Sequence, residues 1–185
     1  IVDYVLTIAI SIASGADAIF SFLPPAAQAF KLEAAIAAVV LLIVLNLRGV
    51  KESVAVMVPI FIGFLVTHIL FILIALIGHA HTLPAVVSSA VHDTRLEMGR
   101  VGFLAVAIAF LRAYSMGGGT YTGIEAVSNG LQILREPRVQ TGKRTMLYMA
   151  SSLAFTAGGI LLSYLLLDIH HQEGRTLNAT LIDQV

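Results

Sequence analysis

A chain of 185 residues that is 58% hydrophobic and only 12% charged, with a mean hydropathy of +0.91, holds about half the charge of a soluble globular domain. It is therefore read as a membrane protein and not as a globular one with a large core. The formal net charge of zero argues against a nucleic-acid partner, and the absence of cysteine excludes disulfides and thiolate metal sites.

Segment A runs from about Val2 to Leu23 and is stopped by Pro24-Pro25, since proline cannot continue a helix. Its small polar residues Tyr4, Thr7, Ser11 and Ser14 recur at helical spacing on one face. Ser11 and Gly15 form a small-xxx-small pair that lets a neighbouring helix approach. Segment B, about 32–47, is almost purely aliphatic (AAIAAVVLLIVLNL) and short for a span of about 20 residues, so it is expected to begin within the preceding loop. Segment C, about 54–77, contains Pro59, Gly63, Thr67 and, near its middle, His68. Residues 78–100 read as a polar connection with His79, His81, His92 and four charges. Segment E, about 145–167, carries Ser151, Ser152, Thr156 and Gly158-Gly159.

Segment D, about 101–134, organises the rest. It would read as one membrane helix but for Gly117, Gly118 and Gly119 in succession, each costing a helix about 1 kcal/mol relative to alanine. Thr122 and Glu125 then stand at capping-box spacing, able to start a new helix. The expectation is half-helix, unwound backbone, half-helix. Freed backbone groups cannot face lipid, so they must line a cavity or be buried in protein. Broken helices of this kind build the midplane sites of secondary transporters.

The fold expected is thus an all-α membrane protein with about five transmembrane helices, one of them broken. Because the chain enters directly into an apolar helix at Ile1, without a basic n-region, it is read as part of a longer polytopic protein and not as carrying a signal peptide. Basic residues set the orientation. Six of them (Arg48, Lys51, Arg135, Arg138, Lys143, Arg144) fall in the B–C and D–E loops, against Lys31, Arg95, Arg100 and Arg175 on the other side. The loops at 46–53 and 135–145 are expected to be cytoplasmic.

NLRGVKES (Asn46–Ser53), TGIEAVSNG (Thr122–Gly130) and REPR with GKRTM (Arg135–Met146) resemble the amino acid–polyamine–organocation (APC) superfamily of permeases. The opening DYVLTIAISIASGADAI (Asp3–Ile19) resembles the third membrane helix of a bacterial branch that includes proton-coupled potassium importers of the Kim type. The resemblance implies a LeuT-type fold of two inverted five-helix repeats, with segments A to E as helices 3 to 7 and segment D as broken helix 6. It also implies a multi-pass protein of a bacterial inner membrane, moving a small solute by alternating access, with H⁺ as the coupling ion and no other cofactor.

In that branch, hydroxyls of helix 3 and a threonine of helix 6 contact the ion. The matching positions are Thr7, Ser11 and Thr122. GGGTY (Gly117–Tyr121) is richer in glycine than the branch leads one to expect, which keeps an amino acid open as solute beside potassium. Thr120 belongs to the same unwound stretch. An amino acid would place its carboxylate on the N–H groups of Gly117, Gly118 and Gly119, with its side chain beside Tyr121 or Phe110. For Thr7 and Ser11 the alternative is that their hydroxyls bond back to their own helix.

Glu125 is either a capping residue or an ionisable group in a proton path, and the cap is the favoured reading. Arg112 needs a partner or water. His68 either relays a proton or donates one hydrogen bond to a neighbour. The loop histidines match no standard metal-ligand spacing. Asn178-Ala-Thr180 fits a glycosylation sequon and carries no weight by itself. No bond is made or broken, so the expectation is a transporter and not an enzyme. A channel and a non-transporting membrane sensor are the rivals.

Overall fold

The structure is a computed structural model that describes residues 2–117 and 124–185. Of residues 3, 50–52 and 124–126 only the backbone is described. Among the described residues the regular structure is helical, in the order α1 Val2–Phe20, α2 Lys31–Arg48, α3 Val50–Gly78, α4 Leu83–Val101, α5 Phe103–Gly117, α6 Ile124–Asn129, α7 Arg138–Leu166 and α8 Leu177–Ile182. Stretches of 3-10 helix occupy Pro25–Phe30, Ala80–Thr82 and Leu131–Ile133. The stretches Pro25–Arg48, Ser53–Gly78 and Arg138–Leu166 are long and apolar enough to cross a bilayer, and Tyr4–Phe20 and Phe103–Gly117 are shorter apolar helices.

The helix ends follow local chemistry. Helix α1 stops at Phe20, three residues before the end expected from sequence. A tight turn then spends the Ile19 and Phe20 carbonyls on Phe22 and Leu23, because Pro24 restricts the residue before it. The 3-10 turn at Pro25–Phe30 runs straight into α2, so this apolar segment does begin before Lys31 and reaches 24 residues. Helix α3 continues through Pro59, which supplies no N–H to the helix ladder; such prolines are tolerated in membrane helices because neighbouring groups re-satisfy the freed carbonyl.

Two sequence expectations are corrected. Most of the polar connection read at 78–100 is helical, residues 83–101 forming α4. Their charges hide a helical repeat, since Leu83, Val87, Ala90, Val91, Thr94, Met98 and Val101 recur every three or four residues. Helix α7 begins at Arg138 and not near Thr145. The Glu136 carboxylate accepts the Arg138 backbone N–H at 3.2 Å and pairs with its guanidinium at 2.9 Å, which starts the helix two turns before the apolar residues. Arg138, Lys143 and Arg144 therefore stand on helix.

The chain divides into two compact units, Ile1–Ile77 with Ser163–Val185, and Gly78–Leu162. In the first, α1 packs on α2, and Asp17 meets Lys31 at 2.6 Å. The C-terminal stretch is held down by α8, where Ala179, Thr180 and Leu181 are buried. Thr176 caps α8 by accepting the Ala179 N–H at 3.2 Å. Tyr164 donates to the Asn178 side-chain carbonyl at 2.6 Å. In the second unit, α4 and α5 meet across Gly102, whose φ of +87° makes a corner that favours glycine. Helix α7 passes so close to the Leu131–Ile133 turn that a Cβ on Gly142 would lie 2.6 Å from Leu131 Cδ1.

Candidate solute site

The expected site draws on α1 and on the region around the glycine run. Thr7 and Ser11 stand one turn apart on α1, Thr7 half-buried and Ser11 exposed. Some threonine hydroxyls in the chain are spent on their own helices: Thr67 on the Gly63 and Phe64 carbonyls, Thr145 on Thr141, Thr156 on Ser152. Among the described residues, neither the Thr7 nor the Ser11 hydroxyl is engaged in this way. Two adjacent oxygens on one face thus stay available to a cation or to another helix.

Gly117 is the last residue of α5. Gly118, Gly119, Thr120, Tyr121 and Thr122 lie outside the described residues, and with them the core of the expected break. Glu125 is the second residue of α6, and its side chain lies outside them too. At the two ends of the segment, Gly102 separates α4 from α5, and Gly130 and the 3-10 turn Leu131–Ile133 close α6. The structure brings Thr7 and Ser11 together on α1 in the first unit, while Gly117 and α6 belong to the second.

His68 is half-buried on α3 with its Nδ1 2.8 Å from the Phe64 carbonyl oxygen. A carbonyl only accepts, so Nδ1 carries the hydrogen of this bond. The Phe64 ring lies against the imidazole with centroids 3.9 Å apart. Arg112 is exposed on α5, where water can reach it, and no ion pair of it is found among the described residues.

Sequence reasoning passed over a polar cleft of about 200 Å³ in the first unit, lined by Asp17, Ser21, Gln28, Lys31, Gly174, Arg175 and Thr176. Ser21 is its hub. The Ser21 hydroxyl donates to the Asp17 carbonyl at 2.7 Å and accepts the Thr176 backbone N–H at 3.0 Å. The Gln28 amide donates to the Phe20 carbonyl at 2.9 Å. Arg175 reaches Asp183 at 2.5 Å, a hydrogen bond that raises its already high pKa. Its Nε is buried without a partner among the described residues. Residues 17–31 and 174–183 are far apart in sequence and none forms a spaced motif, so the cleft left no signal to read.

No family model and no solved structure matches the chain. The chain is, however, 34% identical over 161 residues to the potassium transporter KimA of Bacillus subtilis strain 168, an alignment covering 86% of the chain. It spans about a quarter of that protein, 25% of its length. With such a relative and several apolar helices, the chain is an integral, multi-pass membrane protein, similar over most of its length to part of a potassium transporter.

Proposed function

We propose that the chain is part of a secondary active transporter that moves potassium across the membrane together with protons, by alternating access within a LeuT-type fold of the APC superfamily. The observation that carries this reading is the 34% identity to a potassium transporter over 86% of the chain. In this reading α1, α2, α3, α5 with α6, and α7 are helices 3 to 7, and α6 is the second half of the broken helix. Thr7 and Ser11 supply two neutral oxygens to a dehydrated cation, and Thr122 supplies a third. Carbonyls freed around Gly117, Gly118 and Gly119 with Thr120 and Tyr121 complete the shell, since a potassium ion is held by replacing its hydration oxygens with carbonyl and hydroxyl oxygen. Glu125 opens the second half-helix, and His68 is the candidate proton relay within α3.

The test is flux through the full-length protein in liposomes. Saturable potassium uptake that follows an imposed pH gradient is the expected result. Uptake of amino acids without potassium would move the assignment to an amino acid permease, large unitary currents would make the protein a channel, and no flux would leave a sensor. Within an active protein, Thr122→Ala and Ser11→Ala are each expected to raise the KM for potassium about tenfold, the equivalent of one lost ligand of about 1.4 kcal/mol. Membrane insertion should be unchanged. Unaltered uptake kinetics in either variant removes that residue from the site.

A further inference from the structure

We propose that α4 is an interfacial helix, lying along the bilayer surface with its apolar stripe at the boundary between lipid headgroups and acyl chains. The proposal rests on α3 and α5 being inserted in the membrane and not on the identity of the solute.

Three observations carry it. The first is the stripe. Val87, Ala90, Val91, Thr94 and Met98 follow one another at helical spacing and line a shallow groove with Arg95. Every residue of that lining belongs to α4, and within its unit Val87 and Val91 remain 53% and 49% exposed. Thr94 does not interrupt the apolar surface, because its hydroxyl donates to the Ala90 carbonyl at 2.7 Å and leaves its methyl group outward.

The second is the opposite face, where Ser89, His92 and Arg100 are exposed around an exposed Leu96, with the Glu97–Arg100 pair reaching from that face toward the edge of the stripe. Four charged residues between 93 and 100 keep α4 from crossing the bilayer. A helix with one apolar and one polar face and too little overall hydrophobicity to span is the kind that lies in the interface plane. Arg95, at the edge of the stripe, is placed to run its methylene stem along the apolar surface and present its guanidinium to lipid phosphate.

The third is tethering, which decides between lipid and open water. Four residues separate the end of α3 at Gly78 from the start of α4 at Leu83, and only Gly102 separates α4 from α5. Helix α4 is about 28 Å long at 1.5 Å per residue. A helix of that length, tied at both ends by such short links to inserted segments, cannot stand away from the surface. It is held against the bilayer, and the only face it can bury there without cost is the stripe.

The experiment uses the full-length protein, free of other cysteines, in phosphatidylcholine vesicles. Single cysteines are placed at Val87→Cys and Val91→Cys on the stripe and at Ser89→Cys on the opposite face, each carrying a bimane fluorophore. A lipid with a spin label high on its acyl chain is expected to quench the two stripe sites. Aqueous iodide should quench those sites about tenfold less than Ser89→Cys, because a probe some 5–10 Å into the headgroup region has left the aqueous phase. Equal iodide quenching at all three sites would place α4 in water and overturn the proposal. Protection of the stripe from both quenchers would show that another segment of the protein covers it, and would overturn it equally. Independently of any substitution, a lipid with a photoreactive group near its headgroup should cross-link the unmodified protein within residues 87–98. Cross-links confined to the spanning helices would count against α4 at the interface.

Discussion

The Ser21 hydroxyl accepts the backbone N–H of Thr176 at 3.0 Å, joining two residues 155 positions apart in the chain. The same hydroxyl donates to the Asp17 carbonyl one turn back, so its donor and its acceptor are both used. Thr176 in turn caps α8. One serine therefore fixes the end of α1, the entry to α8 and the floor of the polar cleft.

Replacing Ser21 with alanine strands the Thr176 N–H in a half-buried position, at a cost of about 1–3 kcal/mol. The expected outcome is local: hydrogen exchange at the first amides of α8 should speed up by tenfold or more, while α2 and α7 keep their protection. Unchanged exchange at Thr176 and Ala179 would mean that α8 is held by its buried side chains alone.

Tyr164 and Asn178 make a second tie, at 2.6 Å. Tyr164→Phe should lower stability by about 1 kcal/mol. In a double-mutant cycle with Asn178→Ala, the two changes should cost less together than the sum of their separate effects. Strict additivity of the two in thermal unfolding would remove this bond from the account of how residues 168–185 are held.

Gly102 and Gly99 give opposite expectations three residues apart. Alanine at Gly102 must adopt a φ of +87° and is expected to cost about 1–2 kcal/mol. Alanine at Gly99, inside α4 with open space around it, should be neutral or add up to about 1 kcal/mol. Thermal unfolding of the two variants of the full-length protein measures the contrast; equal effects would show that the corner relaxes without strain.

The apolar segments were plain in the sequence because lipid demands length and apolarity and little else. Pro25–Arg48 and Ser53–Gly78 satisfy both. Helix α4 was not plain, because a scan for spanning segments weighs Asp93, Arg95, Glu97 and Arg100 before it looks at the period of the residues between them. The early start of α7 depends on the Glu136 carboxylate reaching Arg138, a contact that no hydropathy pattern records. Of the site, the Thr7 and Ser11 pair was legible as spacing on one helix. What stands beside it in the expected site rests on the break expected near 117–119, where Gly118 and Gly119 lie outside the described residues, and on no property of α1.

At Gly142 the close approach to Leu131 makes size the variable. Gly142→Ala asks only that the end of the Leu131 side chain swing aside, and helix propensity offsets that. Gly142→Val cannot be accommodated so simply and should cost about 1–3 kcal/mol, as overpacking does. Equal unfolding temperatures for the two would show that α7 and the 131–133 turn separate readily.

The Asn178 side chain has a bearing on chemistry done to the protein after synthesis. Its amide oxygen is occupied by Tyr164, and Thr180, the hydroxyl residue of the same Asn-Ala-Thr triplet, is 3% exposed. An oligosaccharide-transferring enzyme must take such a triplet in extended form with the amide free. The folded protein is closed to that modification at this triplet, and a sugar could be attached there only before α8 has formed.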